Sequence, residues 1–456
     1  MQNSTCKKQA RGLKISKQIF MDLTFWIAIG VFSVSLLFFI FDWLDKTIVA
    51  LLGALILMVT GVLTWEESLL SIDIETLTLL FGLMLVVAVA QYSGIFSWLN
   101  VQIAQRSKGS PMAVFLSFMA LTFLTSTVLN NATVIILVVP IAIALARGLG
   151  LNTKLLVIAL AIFSNIGGTL TLIGDPPNTL IGVQAGLSFN SFIINLWVPI
   201  AVMTVLITGY MILLNPNSFK SIRDNFKKLF ISNLIIKRIT YQFANVKLSK
   251  FLVISTCLII LASILAFMFQ PYLGIELGVL GLLAGIVIVT LASKKIDFVH
   301  MVKEIEWDSL LFFAALFVQV GALEKVGFLQ MITDFIVGFS GNFAVLLLVI
   351  VWGIGIASMF INNIPFVALM IPVIFQLQDQ MAGQPDLDLL WWALALGACL
   401  GGNGTIIGSS SGILAVDMAK KHGVRISFLE FMKVGVPVTL ISLVVASGYL
   451  LARLYI

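Results

Sequence analysis

Residues 164–182 read SNIGGTLTLIGDPPNTLIG, a polar interruption between long apolar runs. Pro176 and Pro177 remove two backbone donors, and Gly167, Gly168 and Gly174 loosen a helical ladder. Asn165, Thr169, Asp175 and Asn178 add side-chain polarity to the same stretch. An uninterrupted membrane helix is therefore excluded. Unwound backbone at membrane depth survives only where it is buried in protein or lines a polar cavity. The stretch reads as a broken helix around a polar site.

It has a partner. Residues 401–412 read GGNGTIIGSSSG, and a shift of 234 lays Gly167–Gly168 on Gly401–Gly402, Thr171 on Thr405 and Gly174 on Gly408. Each copy is preceded by a second matched element. Ser126 and Asn130–Asn131 lead to Pro140, and at a shift of 232 Ser358 and Asn362–Asn363 lead to Pro372. Two polar interruptions per half, in the same order, make an internal repeat. Paired interrupted segments of this kind point to the binding site of a secondary transporter.

Composition agrees with a membrane setting. Of 456 residues, 60% are hydrophobic and 11% charged, with a mean hydropathy of +1.10. A soluble protein of this size could not bury so much apolar surface, so the chain reads as an integral, multi-pass, all-α membrane protein. In a bacterium that means the cell (inner) membrane. The net charge of +6 arises from basic residues in short loops, which argues against nucleic-acid binding. Cys6, Cys257 and Cys399 are scattered and show neither metal spacing nor a disulfide framework. No GxxxxGK[ST] run occurs, so ATP energy would need a separate subunit. Nothing resembles a catalytic triad, a cofactor box or a metal cluster, so an enzyme is not expected.

The chain divides into a polar basic tail (1–20), a first transmembrane repeat (21–214), a basic connection (215–250) and a second repeat (251–456). Spans are expected near 21–41, 47–64, 75–90 and 192–214, with an acidic link at 65–73 and a loop at 102–111. Residues 112–147 form a re-entrant hairpin or two complete spans, and 154–182 form the broken helix. The second half repeats this plan, with spans near 251–269, 273–292, 309–322 and 428–451. Its hairpin lies at 343–377 and its broken helix at 390–418. Five crossings per half would make the halves inverted copies. The basic connection placed in the cytoplasm then puts the Arg106, Arg147–Lys154, Lys294–Lys303 and Lys420–Arg425 segments inside, as the positive-inside rule asks. It leaves the basic tail outside, against the rule. The tryptophans, among them Trp26, Trp43, Trp98, Trp352, Trp391 and Trp392, read as interfacial anchors.

The polar set is rich in Asn, Ser, Thr and Gly and holds one carboxylate. Amide and hydroxyl oxygens with freed backbone carbonyls suit a hard cation such as Na⁺, with Asn130, Asn131, Asp175, Asn362 and Asn363 as candidate ligands. Exposed helix N-termini suit an anionic substrate. A carboxylate at membrane depth costs ~2.5–3.5 kcal/mol on insertion scales, so Asp175 reads as functional, carrying Na⁺ or a proton. The structural alternative is that Asp175 caps the helix begun by Pro176. Capping is also the structural alternative for the two Asn-Asn tips, where ligand contact is the favoured reading because both pairs recur in register with the second motif.

The motifs at 165–182 and 401–412, with the two Asn-Asn tips, resemble the ArsB/NhaD permeases of the ion transporter superfamily. The resemblance covers residues 20–456 and is closest to the arsenical-pump, citrate-transporter-like and melanosomal P-protein branch. It implies two inverted repeats, each with scaffold helices, a re-entrant hairpin and a broken helix, working as an elevator. It implies hairpin-tip contacts from Asn130, Asn131, Asn362 and Asn363. Asn165, Thr169, Asp175 and Asn178 would line one half-site, and Asn403, Thr405, Ser409 and Ser411 the other. The second motif departs at Gly412, where P-protein-like members carry Asn, and there looks more like NhaD-type Na⁺/H⁺ antiporters. The expected activity is transport of a small anion or metalloid oxyanion, such as arsenite or a carboxylate, coupled to Na⁺ or H⁺. A Na⁺/H⁺ antiporter and an uncoupled anion channel are the alternatives. A homodimer in the lipid bilayer is implied, and a separate ATPase subunit if the chain is arsenical-pump-like.

Overall fold

The computed structural model describes residues 23–41, 43–107, 110–214, 216, 250–339, 342–384 and 386–455. The basic tail, and the basic connection apart from residues 216 and 250, lie outside the described residues. The regular elements described are helices. The first half runs α1 (Leu23–Phe41), α2 (Lys46–Val59), α3 (Trp65–Ser71), α4 (Ile74–Ser93) and α5 (Ile95–Arg106). It continues with α6 (Pro111–Ser126), α7 (Asn131–Leu149), α8 (Thr153–Thr169), α9 (Pro176–Gln184) and α10 (Phe189–Leu214). The second half runs α11 (Lys250–Leu273), α12 (Leu277–Ala292), α13 (Phe298–Lys303), α14 (Trp307–Lys325) and α15 (Phe328–Phe339). It closes with α16 (Phe343–Phe360), α17 (Asn363–Gln380), α18 (Leu389–Gly401), α19 (Ser410–Lys421) and α20 (Phe428–Tyr455).

The halves correspond helix for helix, with the breaks between α8 and α9 and between α18 and α19. Among the described residues, eight helices are long and apolar enough to cross a membrane: α1, α4, α7, α10, α11, α14, α16 and α20. The first hairpin is α6 and α7, turning at 127–130; α6 has 16 residues, short of the ~20 a full crossing needs.

The structure departs from the sequence expectation at several points. The span expected at 47–64 stops at Val59 after 14 residues. The acidic link is the helix α3, begun by a capping box in which Thr64 and Glu67 satisfy each other's backbone N–H. The loop expected from 102 is the end of α5, and α13 and α15 were also missed. Trp391 and Trp392 are not interfacial: both are buried, and Trp392 meets Phe192 edge-on at 5.2 Å. Trp26 and Trp43 do project outward.

Contacts divide the chain into two compact units, each drawn from both halves. One unit holds residues 1–74, 307–341 and 368–383. In it α14 lies along α2, where Gly53 leaves room for buried Gln319, whose Nε2 donates to the Ala50 carbonyl at 2.9 Å. Lys325 lies 2.6 Å from Glu67 and, by hydrogen bonding, holds that carboxyl down to about 2.

The other unit holds residues 75–306, 342–367 and 384–456. Here α4 meets α12, the counterparts of α14 and α2, along a stripe of glycines. A Cβ on Gly82 would sit 2.2 Å from the Gly281 backbone, and one on Gly285 2.6 Å from the Gly82 carbonyl. Small residues at such crossings let membrane helices touch backbone to backbone. The same unit contains both breaks, packed by α6 on α8, α16 on α18, α9 on α18, and α19 on α7 and α8.

The α4–α12 contact predicts a mutational asymmetry. Gly82→Ala should destabilise by about 1–3 kcal/mol through overpacking, read as a lower melting temperature of detergent-purified protein. Gly209→Ala, with nothing within 4 Å of its added methyl, should be neutral or better.

Candidate functional site

The first break forms because the end of α8 has no room for side chains. A Cβ on Gly167 would sit 2.3 Å from the Phe123 carbonyl, and one on Gly168 2.5 Å from Asn131 Oδ1. The chain leaves the helix after Thr169 and restarts at Pro176–Pro177, which fill the first turn of α9 without needing their missing N–H groups. The backbone between is stitched from within. Asn178 Nδ2 donates to the carbonyls of Thr169 (2.8 Å) and Thr171 (3.0 Å) and points at that of Gly168 (3.5 Å). Thr179 Oγ1 donates to the Leu172 carbonyl at 2.9 Å. The orphan carbonyls of a broken helix thus have protein partners, as a water-poor setting requires.

The second break has the same frame and different stitching. Gly401 presses on the Gly355 carbonyl as Gly167 does on that of Phe123, and Gly408 sits against Ser358 as Gly174 does against Ser126. In each half a threonine of the break, Thr171 or Thr405, donates its hydroxyl to a hairpin-tip carbonyl, Thr127 or Met359. Ser126 Oγ meets Ser164 Oγ at 2.9 Å, and Ser358 Oγ donates to the Ala398 carbonyl at 2.7 Å. The clasp is what differs. At the shift of 234, Asn178 falls on Gly412 and Thr179 on Ile413.

The missing amide is supplied from across the repeat. Asn165 of α8 donates Nδ2 to Asn403 Oδ1 at 2.8 Å and Ser409 Oγ at 2.9 Å, and its Oδ1 accepts from Ser411 Oγ at 2.6 Å. Asn131 Nδ2 reaches the same oxygen at 3.4 Å. All five residues are buried. The counterpart of Asn165 is Cys399. Its thiol donates to Asn178 Oδ1 at 3.4 Å and lies near Asp175 and Thr169. Two hubs therefore face the two breaks, one of amides and hydroxyls, the other of carboxylate, amide and thiol.

Every candidate substrate- or ion-binding residue lies in this second unit, and their tasks differ. Asn131, Asn165, Asn403, Ser409 and Ser411 come together. Thr169, Asp175 and Asn178 gather around Cys399. Asn178 gives its amide to the backbone, Thr169 donates to the Asn165 carbonyl, and Ser126, Ser358 and Thr405 brace tips and breaks. Asn130 and Asn362 cap α7 and α17 by accepting from the N–H groups of Ala132 and Ile364. The second Asn of each pair, Asn131 and Asn363, is buried at the first turn. Asn130 also reaches Glu306 Oε2 at 3.4 Å, beside a cavity of about 30 Å³ that Pro176 and Glu304 line.

The capping reading of Asp175 is overturned. Asp175 occupies the cap position of α9 but makes no side-chain cap bond, while its counterpart Ser409 accepts from Gly412 N–H at 3.2 Å. Asp175 Oδ2 is buried with no hydrogen-bond partner, and so are Asn131 Oδ1 and Asn403 Nδ2. Cys399 and Glu306 escaped the sequence reading. The signal for Cys399 was present, since the shift that aligns the glycines also lays it on Asn165.

Two broken helices meeting through buried polar side chains, in a polytopic helical protein built from paired halves, define a membrane transporter. The chain belongs to the citrate transporter family: residues 36–397 match the family described as "Citrate transporter". It is 34% identical over 433 residues to a 46 kDa membrane protein of Mycobacterium leprae, covering 94% of this chain and 98% of that one. It is 31% identical over 486 residues to the P protein of Mus musculus, covering 90% of this chain and 58% of the P protein. Among solved structures, the YdaH transporter of Alcanivorax borkumensis shares the fold. Its TM-score is 0.51 at 15% identity, over 82% of this chain and 84% of that one.

The clasp yields a stability prediction. Asn178→Ala leaves buried carbonyls at Thr169 and Thr171 unpaired, each worth about 1–3 kcal/mol. The melting temperature of the purified protein should fall by several degrees. An unchanged value would show that the clasp is dispensable.

Proposed function

We propose that the protein is a secondary active transporter of a small oxyanion, of the carboxylate class, coupled to a monovalent cation, H⁺ or Na⁺. The cation is taken on the Asp175 side and the anion on the Asn403–Ser409–Ser411 side. The observation that carries this reading is the trio of buried, unpartnered atoms. Asp175 Oδ2 and Asn131 Oδ1 are acceptors, and Asn403 Nδ2 is a donor. An unmade buried hydrogen bond costs about 1–3 kcal/mol, so one such atom in the carboxylate hub and two in the amide hub fit places that a ligand completes. A buried carboxylate oxygen asks for positive charge. A free amide donor beside the N-terminus of α19 suits an anion's oxygen. The family's description as citrate transporters supports the carboxylate class.

Transport separates coupled from uncoupled function. In proteoliposomes, labelled citrate should accumulate above equilibrium under an inward proton or Na⁺ gradient. Asp175→Asn should reduce accumulation at least ~10-fold, by removing the charge that binds the cation, while sparing downhill flux. Citrate flux that never exceeds equilibrium under either gradient would make the protein a channel. Cation exchange with citrate, succinate, phosphate and arsenite all silent would make it an antiporter.

A further inference from the structure

The elements that build the site are short of positive charge. Residues 112–146, 155–214 and 326–419, which include both hairpins and both broken helices, contain no Lys, Arg or His. Among the described residues, Asp175 is the one charged side chain that is buried. An acid substrate therefore meets no cationic side chain there. A cation on Asp175 neutralises Asp175 itself. The N-termini of α9 and α19 add about half a positive charge each, which together match about one negative charge. A fully ionised di- or tricarboxylate brings two or three, and uncompensated charge away from water is strongly disfavoured.

The amide hub points the same way by a separate observation. Asn165 holds Asn403 through its Nδ2 and Asn131 through its Oδ1. That leaves an acceptor, Asn131 Oδ1, and a donor, Asn403 Nδ2, without partners. Flipping one of these amides alone sets like atoms together, and flipping all three again leaves one acceptor and one donor. An ionised carboxylate only accepts, so it satisfies the donor and sets oxygen against oxygen at the acceptor. A protonated carboxyl has an O–H to donate and an oxygen to accept.

We propose that the amide hub takes its acid substrate with one carboxyl protonated, so that a dicarboxylate enters as a monoanion. The substrate's own O–H donates to Asn131 Oδ1, and Asn403 Nδ2 donates to a carboxyl oxygen. The proposal rests on the reading of this hub as the anion side. A carboxamide reproduces the protonated carboxyl at every pH, with an N–H donor and a carbonyl acceptor. Succinamate is thus a permanent stand-in for singly protonated succinate. Monomethyl succinate is a monoanion without that donor.

The experiment measures half-saturating concentrations for thermal stabilisation of the full-length purified protein, with EDTA present, between about pH 6 and pH 8. The ligands are succinate, succinamate, monomethyl succinate and citrate. The ratio of the succinate value to the succinamate value should rise about 10-fold per pH unit, because succinate must take up one proton more. A proton taken by the protein enters both values and cancels. Monomethyl succinate should bind at least ~5-fold more weakly than succinamate, since it leaves a buried acceptor unpaired. A ratio that stays constant with pH overturns the proposal. So does succinate binding where succinamate does not, citrate binding with both of them silent, or binding that appears only when Mg²⁺ replaces EDTA. Silence from every acid under all conditions overturns the carboxylate reading itself, and the protonation proposal falls with it.

Discussion

One constraint governs this molecule: a helix broken where water is scarce must find partners for the backbone groups it frees. Each break here receives one amide side chain. In the first, Asn178 comes from the helix that restarts the chain and donates to the carbonyls of Thr169 and Thr171. In the second, glycine stands at that place, and the amide arrives from α8 of the other half as Asn165. The same exchange brings Asn403, Ser409 and Ser411 into one network with Asn131. The junction of the two halves is thus made side chain to side chain, through Asn165, Asn403, Ser409 and Ser411, and the polar site grows from it.

The frame around the junction is steric. Gly167, Gly168 and Gly174, with Gly401, Gly402 and Gly408, let the breaks lie directly on the hairpins. Their near-identical contacts in both halves show that the repeat is preserved at the level of backbone packing. Symmetry ends with the side chains. Asp175 against Ser409, Asn178 against Gly412 and Asn165 against Cys399 give two pseudo-equivalent places different chemistry.

Much of this was legible in the sequence. Prolines, glycines and paired Asn-Asn tips at nearly constant shifts reveal the repeat and the breaks, because such residues are costly inside membrane helices and stand out against apolar runs. The short helices α3, α5, α13 and α15 were harder to see. They lie between spans and are too short to read as crossings, although the Thr64–Glu67 capping box and the apolar, helically periodic run of α15 were readable. Trp391 and Trp392 misled because tertiary packing, not the interface, claimed them. The division of labour within each Asn-Asn pair depends on which residue starts the helix, and composition cannot tell that. Nor could the sequence show that Asp175 leaves its cap position unbonded, since Asp before Pro is an ordinary helix start.

The threonine bonds from break to tip carry a further meaning. Thr171 and Thr405 bind the carbonyls of the hairpins, and the glycines beside them leave no gap for sliding. Tip and break in each half are thus packed and bonded as one piece. A hairpin turn exchanged with a relative would therefore have to bring its own broken helix with it, since either one alone would lose the threonine bond and the glycine contacts that seat it.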